Sequence, residues 1–414
     1  MKDPYVVIIL SSLLIVFSYL FTQISKFSKI PSVLFLIGTG IAMQFGLEYF
    51  GINLPDLSTI LGILGIIGLM MIVLEGALDI KIHRNNIRTI LAAFASSVII
   101  LAITNSLIAC IIYYTQPVNF INSFLYSIPL SVVSSAIVIP SVHKLIPAKK
   151  EFMVIEATLS DIFGIMLFSL WIKEPSAGQT YAQAISWNII ISITLSIILS
   201  YLLVYLFHKI KTKVKFFLFL AILALLLSIG EYFHYSALLI ILIFGLILNN
   251  THAFFKGFLK KIINHEKVTE IRNEFVMITN ETSFLIRTFF FVVFGLTMNL
   301  EGLLNEQIII ISIMVMVVIY LTRALNLKVF IKSTIFPQML IAPRGLVTIL
   351  LFQQIMEHYG IIPFNKAILA WVIIGTNLIM MFGLIFSGSS EDDILRINIG
   401  DASSDYYNEP NPPA

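Results

Sequence analysis

The chain has 414 residues, of which 58% are hydrophobic and only 12% are charged, and its formal net charge is +3. Soluble globular proteins carry about 25% charged residues, so this composition excludes an ordinary soluble domain. The small net charge gives no sign of nucleic-acid binding, and the single cysteine, Cys110, excludes a disulfide framework. Such a chain is expected to form membrane-spanning helices of about 20 apolar residues each.

Thirteen apolar segments follow one another along the chain. Each is expected to be a helix, because lipid offers no hydrogen-bond partner to an open backbone. In chain order they are residues 5–24, 31–50, 58–80, 89–115, 121–142, 151–172, 184–207, 216–231, 236–250, 275–299, 307–325, 333–356 and 366–388.

Basic residues cluster in alternate connections between these segments. The groups lie at residues 26–29, 81–88, 144–150, 209–215, 256–272 and 323–332, and the last group begins with Arg323. Lys and Arg collect on the cytoplasmic side of membrane proteins. The pattern therefore predicts a multi-pass protein of the inner (plasma) membrane, with its N-terminus outside and its C-terminus in the cytoplasm.

Charged residues also occur within the apolar segments, where each costs at least about 2.5–3.5 kcal/mol and needs a partner or a wet cavity. Glu75 lies in the third segment, Glu156 and Asp161 in the sixth, Arg287 in the tenth and Arg344 in the twelfth. Asp161 comes ten residues after the start of its segment, about 15 Å deep, and has no partner on its own helix face. For Glu75 an alternative stays open, that of a helix-end residue reaching water.

The fifth segment carries no charge but contains two prolines, Pro129 and Pro140, and hydroxyls at Ser131, Ser134 and Ser135. This pattern predicts a helix that unwinds and frees backbone carbonyls for a cation, which is tolerated at this depth only where the backbone is buried or lines a cavity. The alternative is that Ser134 and Ser135 only pack against other helices.

The twelfth segment is interrupted as well, at Pro343, Arg344 and Gly345. It lies seven segments after the fifth, so the two interrupted helices run in opposite directions. Paired interruptions of this kind indicate inverted repeats with a transport site between them. The predicted fold is therefore an all-α polytopic membrane protein, with two inverted repeats whose broken helices cross at the midplane. Arg344 is expected to stabilise the ends of the broken helices.

Residues 1–388 are expected to form one transmembrane transporter domain. Residues 389–414 are polar and acidic and are expected to form a disordered cytoplasmic tail.

Four short motifs occur in order along the chain. They are Leu74-Glu75-Gly76-Ala77-Leu78, the sixth-segment stretch from Glu156 to Ser160-Asp161, Arg287 followed by a Phe-rich stretch and Gly295, and Arg344-Gly345. Together they resemble motifs of the sodium/proton exchanger (monovalent cation/proton antiporter) family, specifically its electroneutral thirteen-helix branch. The resemblance covers almost the whole membrane part of the chain.

The resemblance implies that Asp161 binds a proton and a cation in turn, with sodium as the expected metal ion. It implies a structural ion pair between Glu156 and Arg287. It further implies a homodimer, a mobile core formed by residues 58–172 and 275–388, and a linker helix at 184–207. The remaining cation- and proton-binding residues would be Ser160, Glu75, Ser134 and Ser135.

The chain departs from the family pattern at two positions. Ser160 stands where the family has Asn, and the stretch Ser134-Ser135-Ala136 replaces Thr-Asp-Pro, which removes an acid. If Glu156 is neutralised by Arg287, Asp161 is the one unpaired acid at the centre, which favours electroneutral one-for-one exchange.

The sequence thus predicts a secondary antiporter that exchanges sodium or lithium for a proton by alternating access, with no cofactor. Its expected partners are the cation, the proton, the lipid bilayer and a second copy of the chain. Three alternatives stay open: a potassium/proton antiporter, an uncoupled channel or sensor on the same scaffold, and a non-transporting paralogue. An enzyme is not expected, because the chain has neither a Gly-x-Gly-Asp pair nor a His-Glu-x-x-His motif.

Overall fold

The computed structural model describes most of the membrane part of the chain, and the tail predicted from residue 389 lies outside the described residues. Within the described part, all regular structure is helical. The described residues are 4–28, 30–49, 51, 58–82, 86–142, 145–172, 181–209, 216–232, 237–255, 265–298, 300–330, 335–359 and 364–386.

The first half of the chain forms eight described helices, and the fifth predicted segment is divided between two of them. They are α1 (Pro4–Ser28), α2 (Ser32–Tyr49), α3 (Ser58–Asp79), α4 (Ile87–Thr115), α5 (Phe120–Ser131), α6 (Ser135–Ser141), α7 (Pro147–Trp171) and α8 (Tyr181–Lys209). The predicted unwinding of the fifth segment is confirmed, because residues 132–134 between α5 and α6 are not helical.

The second half contains a second interruption at the predicted place. Its helices are α9 (Phe216–Tyr232), α10 (Ala237–Asn249), α11 (Thr251–Phe254), α12 (His265–Leu296), α13 (Leu300–Leu303), α14 (Glu306–Phe330), α15 (Leu346–Tyr359) and α16 (Lys366–Phe386). Before α15, a short 3-10 turn at Gln338–Leu340 leads into non-helical residues 341–345. Eight spans in the described part are long and apolar enough to cross a membrane, and the total of thirteen stays a prediction.

The helices pack in two groups. The first, which we call the core group, consists of α4, α5, α6, α7, α14, α15 and α16, and the second, the flanking group, of α1, α2, α3, α8, α9, α10 and α12. α3 and α12 pack mainly against each other and against α2 and α10. The predicted core, residues 58–172 and 275–388, therefore includes α3 and α12, which pack with the flanking group more than with the other helices of the predicted core. The expected depth of a residue in the membrane does not show against which neighbour its helix packs.

Within the flanking group, two glycines let α2 and α12 approach closely. A Cβ on Gly40 would overlap the backbone of Val292, and a Cβ on Gly295 would overlap the backbone of Ile37. Small residues at helix contacts of this kind allow close packing in membranes, where apolar side chains gain little from leaving lipid.

The two interruptions cross inside the core group. The backbone N–H of Ser134 donates to the carbonyl of Pro343 at 3.0 Å. Gly345 lies against Ser134 and Ile137, and a Cβ at this position would collide with both side chains. The crossing brings the unwound backbone of both halves to one place, and the candidate site is built around it.

Candidate functional site

Asp161 lies on α7, is only 3% exposed, and faces the first interruption. Its Oδ2 accepts hydrogen bonds from the backbone N–H of Ser135 at 2.8 Å and from the Ser135 hydroxyl at 2.5 Å. The carboxylate thus satisfies an amide that the unwound helix leaves free. Its other oxygen, Oδ1, is buried and has no hydrogen-bond partner in the described part of the chain. This oxygen is available to a proton or a cation.

Of the hydroxyls near Asp161, some make hydrogen bonds within the described part of the chain and others do not. Ser160 accepts a hydrogen bond from the backbone N–H of Val133 at 3.0 Å, so it holds the unwound backbone beside Asp161. The hydroxyls of Ser134 and Thr158 are buried without a hydrogen-bond partner among the described residues. Thr158 was not singled out from the sequence, although it lies three residues before Asp161 and therefore on the same helix face.

Arg344 is 1% exposed and binds the carbonyls that the two interruptions leave free. It donates to the carbonyl of Leu130 at 2.6 Å, of Ala342 at 3.0 Å and of Ser131 at 3.3 Å. Leu130 and Ser131 end α5, where helical carbonyls lack their usual partners. One guanidinium therefore ties the end of the first broken helix to the second interruption.

The second interruption is held by α16 much as the first is held by α7. Thr376 accepts from the backbone N–H of Arg344 at 3.1 Å, and Asn377 donates to the Arg344 carbonyl at 2.9 Å. Consecutive residues of one helix, Ser160 and Asp161 in one half and Thr376 and Asn377 in the other, thus bind the unwound backbone. Asn377 stands where the first half has Asp161, so the second half contributes no carboxylate at this place.

The structure corrects the predicted ion pair between Glu156 and Arg287. Glu156 instead pairs with Arg323 of α14, with 2.8 Å between Oε2 and a guanidinium nitrogen. Ser96 donates to the other carboxylate oxygen at 2.7 Å, and Arg323 also donates to the carbonyl of Gln338 at 3.2 Å. Arg323 was predicted to begin a basic loop group, yet it lies inside α14 and is fully buried. The prediction failed because it rested on short matching motifs, which do not show the neighbour that a side chain faces.

Arg287 pairs with Glu75, the charged residue of α3. The two side chains make three contacts at 3.2–3.3 Å, and their exposed fractions are 19% and 15%. Both line a cavity of about 190 Å³, together with Gly76 of α3 and with Ser135 and Pro140 of α6. The cavity therefore lies between the flanking group and the core group, and it reaches the residue that binds Asp161.

Four charged residues are fully buried in the described part of the chain: Glu156, Asp161, Arg323 and Arg344. All four belong to the core group. Glu156 and Arg323 neutralise each other, while Asp161 binds the start of α6 and Arg344 the end of α5. Two negative and two positive charges thus balance when Asp161 is ionised.

Comparison with known proteins gives one family and one fold. Residues 12–390 match the family described as sodium/hydrogen exchanger, transmembrane. A structure of the sodium proton antiporter MjNhaP1 from Methanocaldococcus jannaschii at pH 8 aligns with a TM-score of 0.68 at 20% identity, over 93% of this chain and 99% of that chain. A map of MjNhaP1 from electron microscopy aligns with a TM-score of 0.65 at 20% identity, over 96% and 98%. No curated protein matches the sequence. The likeness of fold confirms the predicted all-α membrane architecture.

Proposed function

The chain belongs to the sodium/hydrogen exchanger family, and from that membership we propose that it exchanges one sodium ion for one proton, with Asp161 as the exchange site. The family consists of membrane transporters and not of enzymes, and the chain is a multi-pass cation/proton antiporter. The proposal adds the ion, the stoichiometry and the residue.

The observation that carries this proposal is the half-satisfied carboxylate of Asp161. One oxygen is bound by Ser135, and the other is buried without a partner among the described residues. A buried ionised carboxylate with an unfilled oxygen is costly, and either a proton or a cation removes that cost. The two ligands neutralise the same charge, so they exclude each other at Asp161.

Alternating access supplies the coupling. We infer that the core group moves relative to the flanking group only when Asp161 is neutralised, because an unneutralised charge at membrane depth opposes the movement. The cavity between the groups gives water-borne ions a route to Ser135 and Asp161. It lies near the end of α6 that precedes the basic group at 144–150, so we assign it to the cytoplasmic side, with the N-terminus outside.

The oxygen ligands favour a hard cation. Asp161, Ser134 and Thr158 offer carboxylate and hydroxyl oxygens, which suit sodium or lithium. Ser160 and Arg344 would hold the unwound backbone around the ion. We assign the protein to the plasma membrane and propose a homodimer, both from the family resemblance.

The test is proton movement in sealed proteoliposomes on addition of sodium, lithium or potassium, for the wild type and for Asp161→Asn. We expect sodium or lithium to trigger a pH change and Asp161→Asn to abolish it. The matched control is Glu151→Gln, which lies earlier on α7 and accepts a hydrogen bond from Asn86 outside the site.

The proteoliposome experiment has three informative outcomes. A pH change in the control and the wild type but not in Asp161→Asn supports the proposal. A response to potassium alone would identify potassium, and not sodium, as the transported ion. Cation flux without proton movement in folded wild-type protein would overturn antiport in favour of an uncoupled channel.

A further inference from the structure

The Glu156–Arg323 and Glu75–Arg287 ion pairs differ in a way that suggests different tasks. The Glu156–Arg323 pair is short and dry, at 2.8 Å with exposed side-chain fractions of 2% and 1%. The Glu75–Arg287 pair is longer, with all contacts at 3.2–3.3 Å, and both side chains reach the solvent. Charge-assisted hydrogen bonds are usually about 2.7–2.9 Å long, so the second pair is loosely held.

Hydrogen bonding separates the pairs further. Glu156 also accepts from Ser96, and Arg323 also donates to a backbone carbonyl. Among the described residues, Glu75 accepts hydrogen bonds from Arg287 alone. Nothing else in the described part of the chain fixes the Glu75 carboxylate, so a second cation is able to replace Arg287 there.

The position of the loose pair places it on the route of the ion. Glu75 and Arg287 line the same cavity as Ser135, and Ser135 binds Asp161 directly. Glu75 belongs to the flanking group and Asp161 to the core group, so an ion in this cavity meets one carboxylate from each. A negative cavity attracts cations, and a fixed arginine in it reduces that attraction.

We propose that Arg287 is a tethered competitor of the transported cation for the Glu75 carboxylate. When the cavity holds no ion, the guanidinium occupies Glu75. An entering cation displaces it, and cavity water solvates the released guanidinium. Arg287 keeps its charge at every accessible pH, so it competes as a permanent cation and not as a proton donor.

This arrangement sets the strength of cation capture. With Arg287 in place, Glu75 and Asp161 do not act together as two free carboxylates. The cation is therefore held weakly enough to leave again, as conduction and exchange require. Arg287 thus determines the apparent affinity on the side of the cavity. This inference rests on the proposed exchange at Asp161.

The experiment measures the sodium dependence of proton movement in proteoliposomes for Arg287→Gln, Arg287→Lys and the double variant Glu75→Gln/Arg287→Gln. We expect the KM for sodium to fall about fivefold in Arg287→Gln, the change that matches a partly exposed ion pair. The double variant should lose this gain, because the freed carboxylate is gone. The matched control is Arg272→Gln, the same substitution on α12 at a half-buried residue that is bonded to Asn273 and does not line the cavity.

A structural role for the pair gives the opposite pattern. Arg287→Gln would then lower the maximal rate at an unchanged KM, and the double variant would restore it, which would overturn the proposal. If Arg287→Gln does not fold, Arg287→Lys decides, since its point charge holds the carboxylate less well and should lower the KM. An unchanged or higher KM in Arg287→Lys would contradict the proposal. Failure of the proposed function itself would give a different result from failure of this proposal, because the wild type would then move no protons.

Discussion

Arg323 and Glu156 are side chains whose importance comes from burial. Both are nearly inaccessible to solvent, and each is the other's only opposite charge in direct contact within the described residues. Removing one partner of a buried pair leaves an uncompensated charge and costs about 3–5 kcal/mol. We therefore expect Glu156→Gln to lower the thermal unfolding midpoint of the detergent-solubilised protein clearly, and Glu156→Gln/Arg323→Gln to recover part of the loss.

The control for this prediction is Glu281→Gln, which makes the same change at an exposed residue bonded to Tyr19. Its unfolding midpoint should stay close to that of the wild type. Equal stability of Glu156→Gln and Glu281→Gln would show that the buried pair contributes nothing to the folded state.

At the level of residues, the sequence was a better guide to the candidate side chains of the site than to the residues that they contact. Asp161, Glu75, Arg287 and Arg344 stand out because charge in an apolar segment is rare. The partner of Glu156 was missed because Arg323 sits near the end of its predicted segment, 307–325, and reads as part of a basic loop. A usable signal was the pair Thr322 and Asn326, which lie four residues apart on one face of α14 and are buried. Asn326 also lies three residues after Arg323, close to it on the helix surface.

Among the elements, the two interrupted helices could be predicted because proline, glycine and hydroxyls break a helical pattern. The hydrogen bonds across them could not, since they join residues about two hundred positions apart, such as Ser134 and Pro343 at 3.0 Å. The matching roles of α7 and α16 became visible only once the backbone positions were known.

The crossing has no space for a larger side chain at Gly345. A Cβ there would lie closer than van der Waals contact to Ser134 and Ile137. Overpacking of this kind typically costs about 1–3 kcal/mol. We expect Gly345→Ala to lower the unfolding midpoint and to abolish cation-driven proton movement.

The same substitution at Gly46 is the control, because no atom lies within 4 Å of a Cβ built there on α2. Alanine also suits a helix better than glycine, so Gly46→Ala should be neutral or stabilising. If Gly345→Ala matched Gly46→Ala in both stability and transport, the close packing at the crossing would be needed for neither.

For the whole molecule, the division into two groups was only partly predicted, as α3 and α12 pack with the flanking group. One contact between the groups offers a test of their movement. A Cβ on Gly76 of α3 would lie 3.8 Å from the Cβ of Thr158 on α7. This separation is close to the mean of about 3.8 Å found in disulfides.

We expect the pair Gly76→Cys/Thr158→Cys, in a Cys110→Ser background, to form a disulfide that stops exchange. Cys110 is exposed and is replaced so that it does not react. Because Thr158 is a proposed cation ligand, the reduced double variant is the reference. Oxidation should halt its remaining cation-driven proton movement, and a reductant should restore that rate, whereas the two single-cysteine variants should not respond to the oxidant. Unchanged exchange in protein that is demonstrably cross-linked would mean that the two groups do not move against each other at this contact.

The balance of buried charge in the core group also bears on membrane voltage. The charges of Glu156, Asp161, Arg323 and Arg344 sum to zero, so these four buried residues carry the same single positive charge whether a proton or a sodium ion is bound to Asp161. Moving one elementary charge across a membrane potential of 100 mV changes its free energy by about 2.3 kcal/mol. The potential acts equally on the sodium-loaded and the proton-loaded movement, which run in opposite directions, and its work over a full cycle cancels. With the proposed exchange of one sodium ion for one proton, the concentration gradients of the two ions alone would decide which way the exchanger runs, and a cell that loses its membrane potential would keep this exchange.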